Sequence, residues 1–146
     1  ARSGCNTLIA GGRNQNILHQ VAAGENVGTL LSASQKPLAA RKQWLAGQLQ
    51  VKGKLFLDAG AVDVLTQRGR SLLAVGVTAV EGIFTRGDLV SCVDSNGVEV
   101  ARGLVGYSSE EANRIKGHSA ESIAGILGYR EDDELIHRDN LVVSSQ

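Results

Sequence analysis

Two apolar runs, Leu89 to Val93 and Val98 to Val105, flank the tetrapeptide Asp94-Ser95-Asn96-Gly97. Asn-Gly between strand-like segments is a strong hairpin signal, because the turn needs positive φ angles that these two residues accept. The second half of the chain is therefore built on strands. Glycine points the same way: 18 glycines against a single proline imply many tight turns and short strands. With 146 residues the chain holds one domain or two small ones. Its composition, 42% apolar and 21% charged, is that of a globular protein rather than a disordered tail or a coiled coil. A compact fold of this size removes roughly 70% of the unfolded surface from water, enough for a core. No apolar run approaches the roughly 20 residues that span a bilayer, so no membrane partner is expected. Fifteen basic side chains balance fifteen acidic ones. Zero net charge removes the strongest general argument for a nucleic-acid binder and leaves only a local basic patch.

Three segments follow from the patterning. Residues 1–34 read as strand, helix, strand: Thr7 to Ala10, then a helix with Ile17, Leu18, Val21 and Ala22 on one face stopping at Gly24, then Val27 to Leu31. Three elements do not make a domain, so this segment is expected to be the last α/β unit of a larger sheet and the chain a piece of a longer protein. A complete chain that has lost its initiator methionine is the alternative. Residues 35–53 lose the pattern and read as a linker, with Trp44 as an anchor against a neighbouring surface. Residues 54–143 read as a mostly β unit with short helices, closing into a small barrel. Its strands are Leu55 to Leu57, Leu72-Leu73 and Val75 through Phe84, the two hairpin arms and Leu141 to Val143. Asp58 caps a helix that Gly69 ends, Ser108 and Glu111 form a capping box, and Ser119 caps a last helix ending at Gly128.

Few residues point to chemistry. His137-Arg138-Asp139 looks like the catalytic loop of protein kinases, but Asn140 follows at once and no glycine-rich phosphate loop precedes it, so it reads as a turn. Arg86-Gly87-Asp88 is a turn before the next strand. Gly11-Gly12-Arg13 lacks the spacing of a phosphate-binding loop. Glu131-Asp132-Asp133-Glu134 reads as a solvated acidic loop rather than a cation site. His19, His118 and His137 lie on different elements, and Cys5 and Cys92 have no ligand-spaced partner, so zinc is not expected and both are read as free cytoplasmic thiols. Basic residues gather at Lys52/Lys54, Arg68/Arg70, Arg86 and Arg114/Lys116, and two such groups on one face would make a modest phosphate-binding patch. No catalytic, cofactor-binding or metal residue is assigned.

Gly69-Arg-Ser-Leu-Leu-Ala-Val-Gly-Val77, Gly82-Ile-Phe-Thr-Arg-Gly-Asp-Leu-Val90 and Ala101-Arg-Gly-Leu-Val-Gly-Tyr-Ser-Ser-Glu-Glu111 resemble the signature of the PUA domain, a small pseudo-barrel that holds RNA in tRNA-modifying enzymes. Arg41-Lys-Gln-Trp44, Asp58-Ala-Gly-Ala61, Ile126-Leu-Gly-Tyr129 and Ile136-His-Arg-Asp-Asn140 narrow the likeness to the C-terminal third of the bacterial glutamate 5-kinase family. Thr7-Leu-Ile-Ala-Gly-Gly12 and Val27-Gly-Thr-Leu30 are similar to the end of that family's amino acid kinase domain.

The resemblance implies a mixed α/β chain: a truncated strand–helix–strand piece of an α/β kinase domain, then a mostly β PUA pseudo-barrel. It implies a parent enzyme that phosphorylates L-glutamate from ATP with magnesium, the first step of proline biosynthesis, in the cytoplasm. The family's catalytic groups lie upstream and have no matching position here. The fragment is thus expected to be inactive and to hold no cofactor itself. Its partners would be the rest of the kinase and a second copy. The PUA unit is expected to be structural or regulatory, with RNA binding through Arg68, Arg70 and Arg86 as the alternative.

Overall fold

A computed structural model describes residues 6–33, 36–48 and 50–144. Cys5, read from the sequence as a free thiol, lies outside the described residues. The chain divides into two compact units, residues 1–41 and 42–146.

In the first unit, β1 (Thr7–Ile9) pairs antiparallel with β2 (Thr29–Leu31), Leu8 opposite Leu30, and α1 (Ile17–Ala22) lies between them in sequence. The helix follows Asn16, which sits in the left-handed region at φ 64°. None of the residues of α1 is buried, and both strands are exposed along their length. Ile9 and Leu30 are 59% and 61% exposed.

The stretch read as a patternless linker carries a helix, α2 (Pro37–Ala46). Its apolar positions make no clear stripe, so periodicity could not reveal it. Pro37 at the first helical position, where its missing N–H costs nothing, is the signal the sequence does offer. Trp44 is not the anchor expected of it: it is 56% exposed, and its neighbour Leu45 is the buried side chain.

The second unit is built on a five-stranded mixed sheet in the order β4-β3-β5-β6-β7. Its elements are β3 (Gly53–Leu57), α3 (Ala59–Arg68), β4 (Val77–Gly82), β5 (Leu89–Val93), β6 (Glu99–Leu104), α4 (Ser109–Ile115), α5 (Ile123–Leu127) and β7 (Leu141–Val143). β3 and β5 run parallel; every other neighbouring pair in this sheet is antiparallel. β5 is central and buried at all five positions, which is why Leu-Val-Ser-Cys-Val reads as a continuous apolar run rather than an alternating one. Leu55, Leu57, Leu65, Phe84, Tyr107 and Ile136 belong to one core with it. Each buried aliphatic or aromatic side chain of this kind contributes roughly 1.5–3 kcal/mol.

The expected caps of α3 and α4 form, and that of Ser119 does not. The Asp58 carboxylate accepts from the Ala61 amide at 2.7 Å, and Gly69 ends α3 at φ 56°. Ser108 and Glu111 complete a reciprocal capping box on α4. Ser119 precedes a 3₁₀ turn, Ala120–Ser122, but its hydroxyl meets Ser122 instead of a backbone amide. Two strand expectations are corrected. Leu72-Leu73 contributes a single bridge, Leu72 to Ile136, and residues 74–76 form a 3₁₀ turn, so β4 begins only at Val77. The turn packs so closely on α3 that only glycine fits at its end: a Cβ on Gly76 would lie 2.5 Å from that of Ala61.

The hairpin is present with a different turn from the one expected. Only Gly97 takes a positive φ, at 79°, while Asn96 does not. Gly97 donates to the Asp94 carbonyl, and the Asp94 carboxylate accepts from the Asn96 and Val98 amides at 2.8 and 2.9 Å. The aspartate has taken over the chain reversal through its own side chain. Those bonds, with the Val98 amide foremost, outweigh slight desolvation and hold the Asp94 carboxyl below its usual range.

Candidate nucleic-acid interface

The basic groups singled out in the sequence separate once they are placed. Arg86 reaches Glu131 and, at 3.1 Å, Asp132, so its charge is spent on the acidic loop. Its turn is otherwise local: the Thr85 amide donates to Asp88 at 2.9 Å and Gly87 takes φ 88°. Arg130 pairs with Asp133, which leaves the acidic run facing arginines and makes it a poor cation trap. Lys54 stands directly across from Glu81 on the neighbouring strand. The Arg114 guanidinium donates to the Ile126 carbonyl and the Lys116 ammonium to Asn113. His137 accepts from the Asp139 amide at 3.2 Å and opens the 3₁₀ turn Arg138–Asn140, so this tripeptide is the turn that its sequence suggested.

Exposed Lys52 has no ion pair among the described residues, but it does not share the cavity lined by Arg68 and Arg70. They flank Gly69, whose left-handed backbone reverses the chain at the end of α3, and both are exposed. Neither has a carboxylate partner among the described residues. Both line a cavity of about 890 Å³ between α3, the 3₁₀ turn at residues 74–76 and the segment around His137. Arg86 does not line it. Of the three arginines assigned from the sequence, the structure therefore brings two together and sends the third elsewhere.

Sequence reasoning missed Arg138, which lines the same cavity. Its amide donates to the Ser71 hydroxyl at 3.0 Å across 67 residues of sequence, and the Leu72 amide donates to the Ile136 carbonyl at 2.9 Å. No local pattern carries a pairing of that range. A second group missed by the sequence is Glu99, which accepts from Ser91 at 2.6 Å, Ser144 at 2.9 Å and the Arg102 Nε and Nη2 at 3.0 and 2.7 Å. Arg102 also donates to the Gln48 carbonyl at 2.7 Å. This network satisfies Ser91, the one polar side chain counted among the buried residues described. Partial burial pushes the Glu99 carboxyl up, but the hydrogen bonds from Ser91, Arg102 and Ser144 and the Arg102 charge outweigh it and leave it below its ordinary value.

Among the described residues no group of three or more His, Cys, Asp or Glu side chains could hold a metal ion. Among the same residues no helix is long and apolar enough to cross a membrane.

A family model for the PUA domain matches residues 53–127. Curated relatives agree with the narrower resemblance. Over 143 residues, 98% of this chain, it is 62% identical to the glutamate 5-kinase of Thioalkalivibrio sulfidiphilus and 60% identical to that of Nitrosococcus oceani. The chain spans 38% of the length of each of these proteins. Among solved structures it is similar to a PUA domain of Aeropyrum pernix K1 in a tartrate complex, with 25% identity and a TM-score of 0.44 over 59% of this chain and 41% of that one.

Proposed function

This chain belongs to the PUA domain family, and from that premise we propose that it is the C-terminal, PUA-bearing portion of a glutamate 5-kinase. The observation that carries the reading is identity of about 60% to such kinases along nearly its whole length. The enzyme so named transfers the γ-phosphoryl of ATP, with magnesium, to the γ-carboxylate of L-glutamate, as expected of a cytoplasmic step in proline biosynthesis. Such transfer depends on positioning and on neutralising phosphate charge. The described residues offer no cluster fit for the metal, so no catalytic step is assigned to them. In this reading residues 1–34 complete the amino acid kinase domain, 35–53 join it to the rest, and 54–143 are a structural or regulatory module. The open apolar strands β1 and β2 support it, because they suit the interior of a larger sheet. Partners are the remainder of the kinase and a second copy. Glutamate-dependent ATP turnover is expected from the chain joined to the remaining part of the enzyme and not from the 146 residues alone. Turnover by the short chain refutes its expected inactivity, and none by the joined one refutes the assignment.

RNA binding is the second reading, and the unpaired Arg68 and Arg70 on one cavity favour it. Arg86, already paired with the acidic loop, adds little to it. Fluorescence anisotropy with labelled tRNA at low and physiological salt tests it: a log–log salt slope near zero removes the phosphate contacts.

A further inference from the structure

Three arginines line the cavity of the second unit, carried by two chain segments that the fold fastens together. Arg68 and Arg70 come from the end of α3, Arg138 from the turn before β7. The fastening is direct. Leu72 donates to Ile136 at 2.9 Å, Leu135 donates to Leu72 at 2.7 Å, and the Arg138 amide donates to Ser71 at 3.0 Å. The backbone positions of the three arginines are thus set before any ligand arrives. Beside them Leu73 and Val75, both lining the cavity, stay 42% and 51% exposed. Two carboxylates, Asp58 and Glu134, also line it, but Asp58 is committed to capping α3, and Arg138 has a loose ion pair of its own, its Nε 3.9 Å from the Asp139 carboxylate. A cavity of about 890 Å³ falls within the roughly 300–1,000 Å³ of small-ligand sites.

We propose that this cavity binds a small free phosphomonoester, its phosphate gripped by Arg68, Arg70 and Arg138 and its apolar or aromatic body laid against Leu73 and Val75. Guanidinium forks match phosphate oxygens in pairs, and three of them around one concave site suit a compact dianion. RNA phosphates would offer the same oxygens. Strands of RNA also need stacking faces, however, and the exposed aromatics Trp44 and Tyr129 are not among the lining residues. The site uses residues of the second unit alone and stands whether or not the kinase reading holds.

Calorimetry and amide chemical-shift mapping of the whole 146-residue chain test this, with AMP as the probe and adenosine and a single-stranded RNA as comparisons. AMP is expected to bind and to shift the amides of residues 68–72 and 136–138, while adenosine does neither. R70A and R138A each weaken AMP binding about tenfold or more, the loss of a charge-assisted contact. E134Q strengthens it by removing a like charge, a gain that misfolding cannot mimic. No AMP binding, equal binding of adenosine, or binding untouched by R70A and R138A overturns the proposal. RNA binding with a steep salt slope and no AMP response overturns it in favour of a nucleic-acid site.

Discussion

Gly53 has no room for a side chain: a Cβ there would lie 2.5 Å from the Phe84 ring and 2.6 Å from the Glu81 carbonyl oxygen. The ring is buried core and the carbonyl is ladder backbone, so neither can move cheaply. G53A is expected to destabilise the second unit by about 1–3 kcal/mol, the usual cost of overpacking, seen as a lower midpoint in urea unfolding. Nothing in the sequence distinguishes Gly53 from the turn glycines, because the demand comes from Phe84, far along the chain. Asp58 is the opposite case. Its role was legible from an acidic residue ahead of a short apolar-periodic run, and D58A should cost about 1 kcal/mol as a lost cap. Cys92 is set by depth alone. Burial, with the Glu99 charge adding to it, pushes its thiol up to about 12. In the folded chain at about pH 8 iodoacetamide should leave Cys92 unlabelled, and peptide mapping after denaturation should find it labelled.

Between elements, the Glu99 network ties β6 to β5, to the chain just past β7 and to the Gln48 carbonyl. Because its folded carboxyl titrates below its unfolded value, its contribution is in place above the unfolded pKa and disappears as pH falls through the folded one. The second unit should therefore lose stability on acidification below the ordinary glutamate range, and E99Q should flatten that acid limb in thermal melts taken across pH. An unchanged limb in E99Q would assign the acid loss to other carboxylates. Short-range chemistry made most of this level legible. Caps, the hairpin and the helix ends all announce themselves within a few residues. What stayed hidden was long-range or unpatterned: α2, with no apolar stripe; the Leu72–Ile136 bridge; and Arg138 at the cavity, brought to Arg70 only by that bridge. The Asn96-Gly97 turn misled in detail because Asp94 supplied a competing side-chain route for the reversal.

At the scale of the whole molecule, all the residues of the main core come from the second unit. A chain reduced to residues 42–146 is expected to unfold in one cooperative transition, at a temperature within a few degrees of the full chain's second-unit transition, by differential scanning calorimetry. Loss of that transition would mean that the first 41 residues are needed to hold the sheet together. The strand order carries a consequence in time. β6 can pair with β5 as soon as the hairpin is made, but its other neighbour, β7, follows only after α4, α5 and two 3₁₀ turns. A ribosome adding roughly 5–20 residues per second leaves β6 with a bare edge for some seconds. That bare edge belongs to the module's birth: it is a delay between two strands, gone from the finished fold, and slow translation prolongs it.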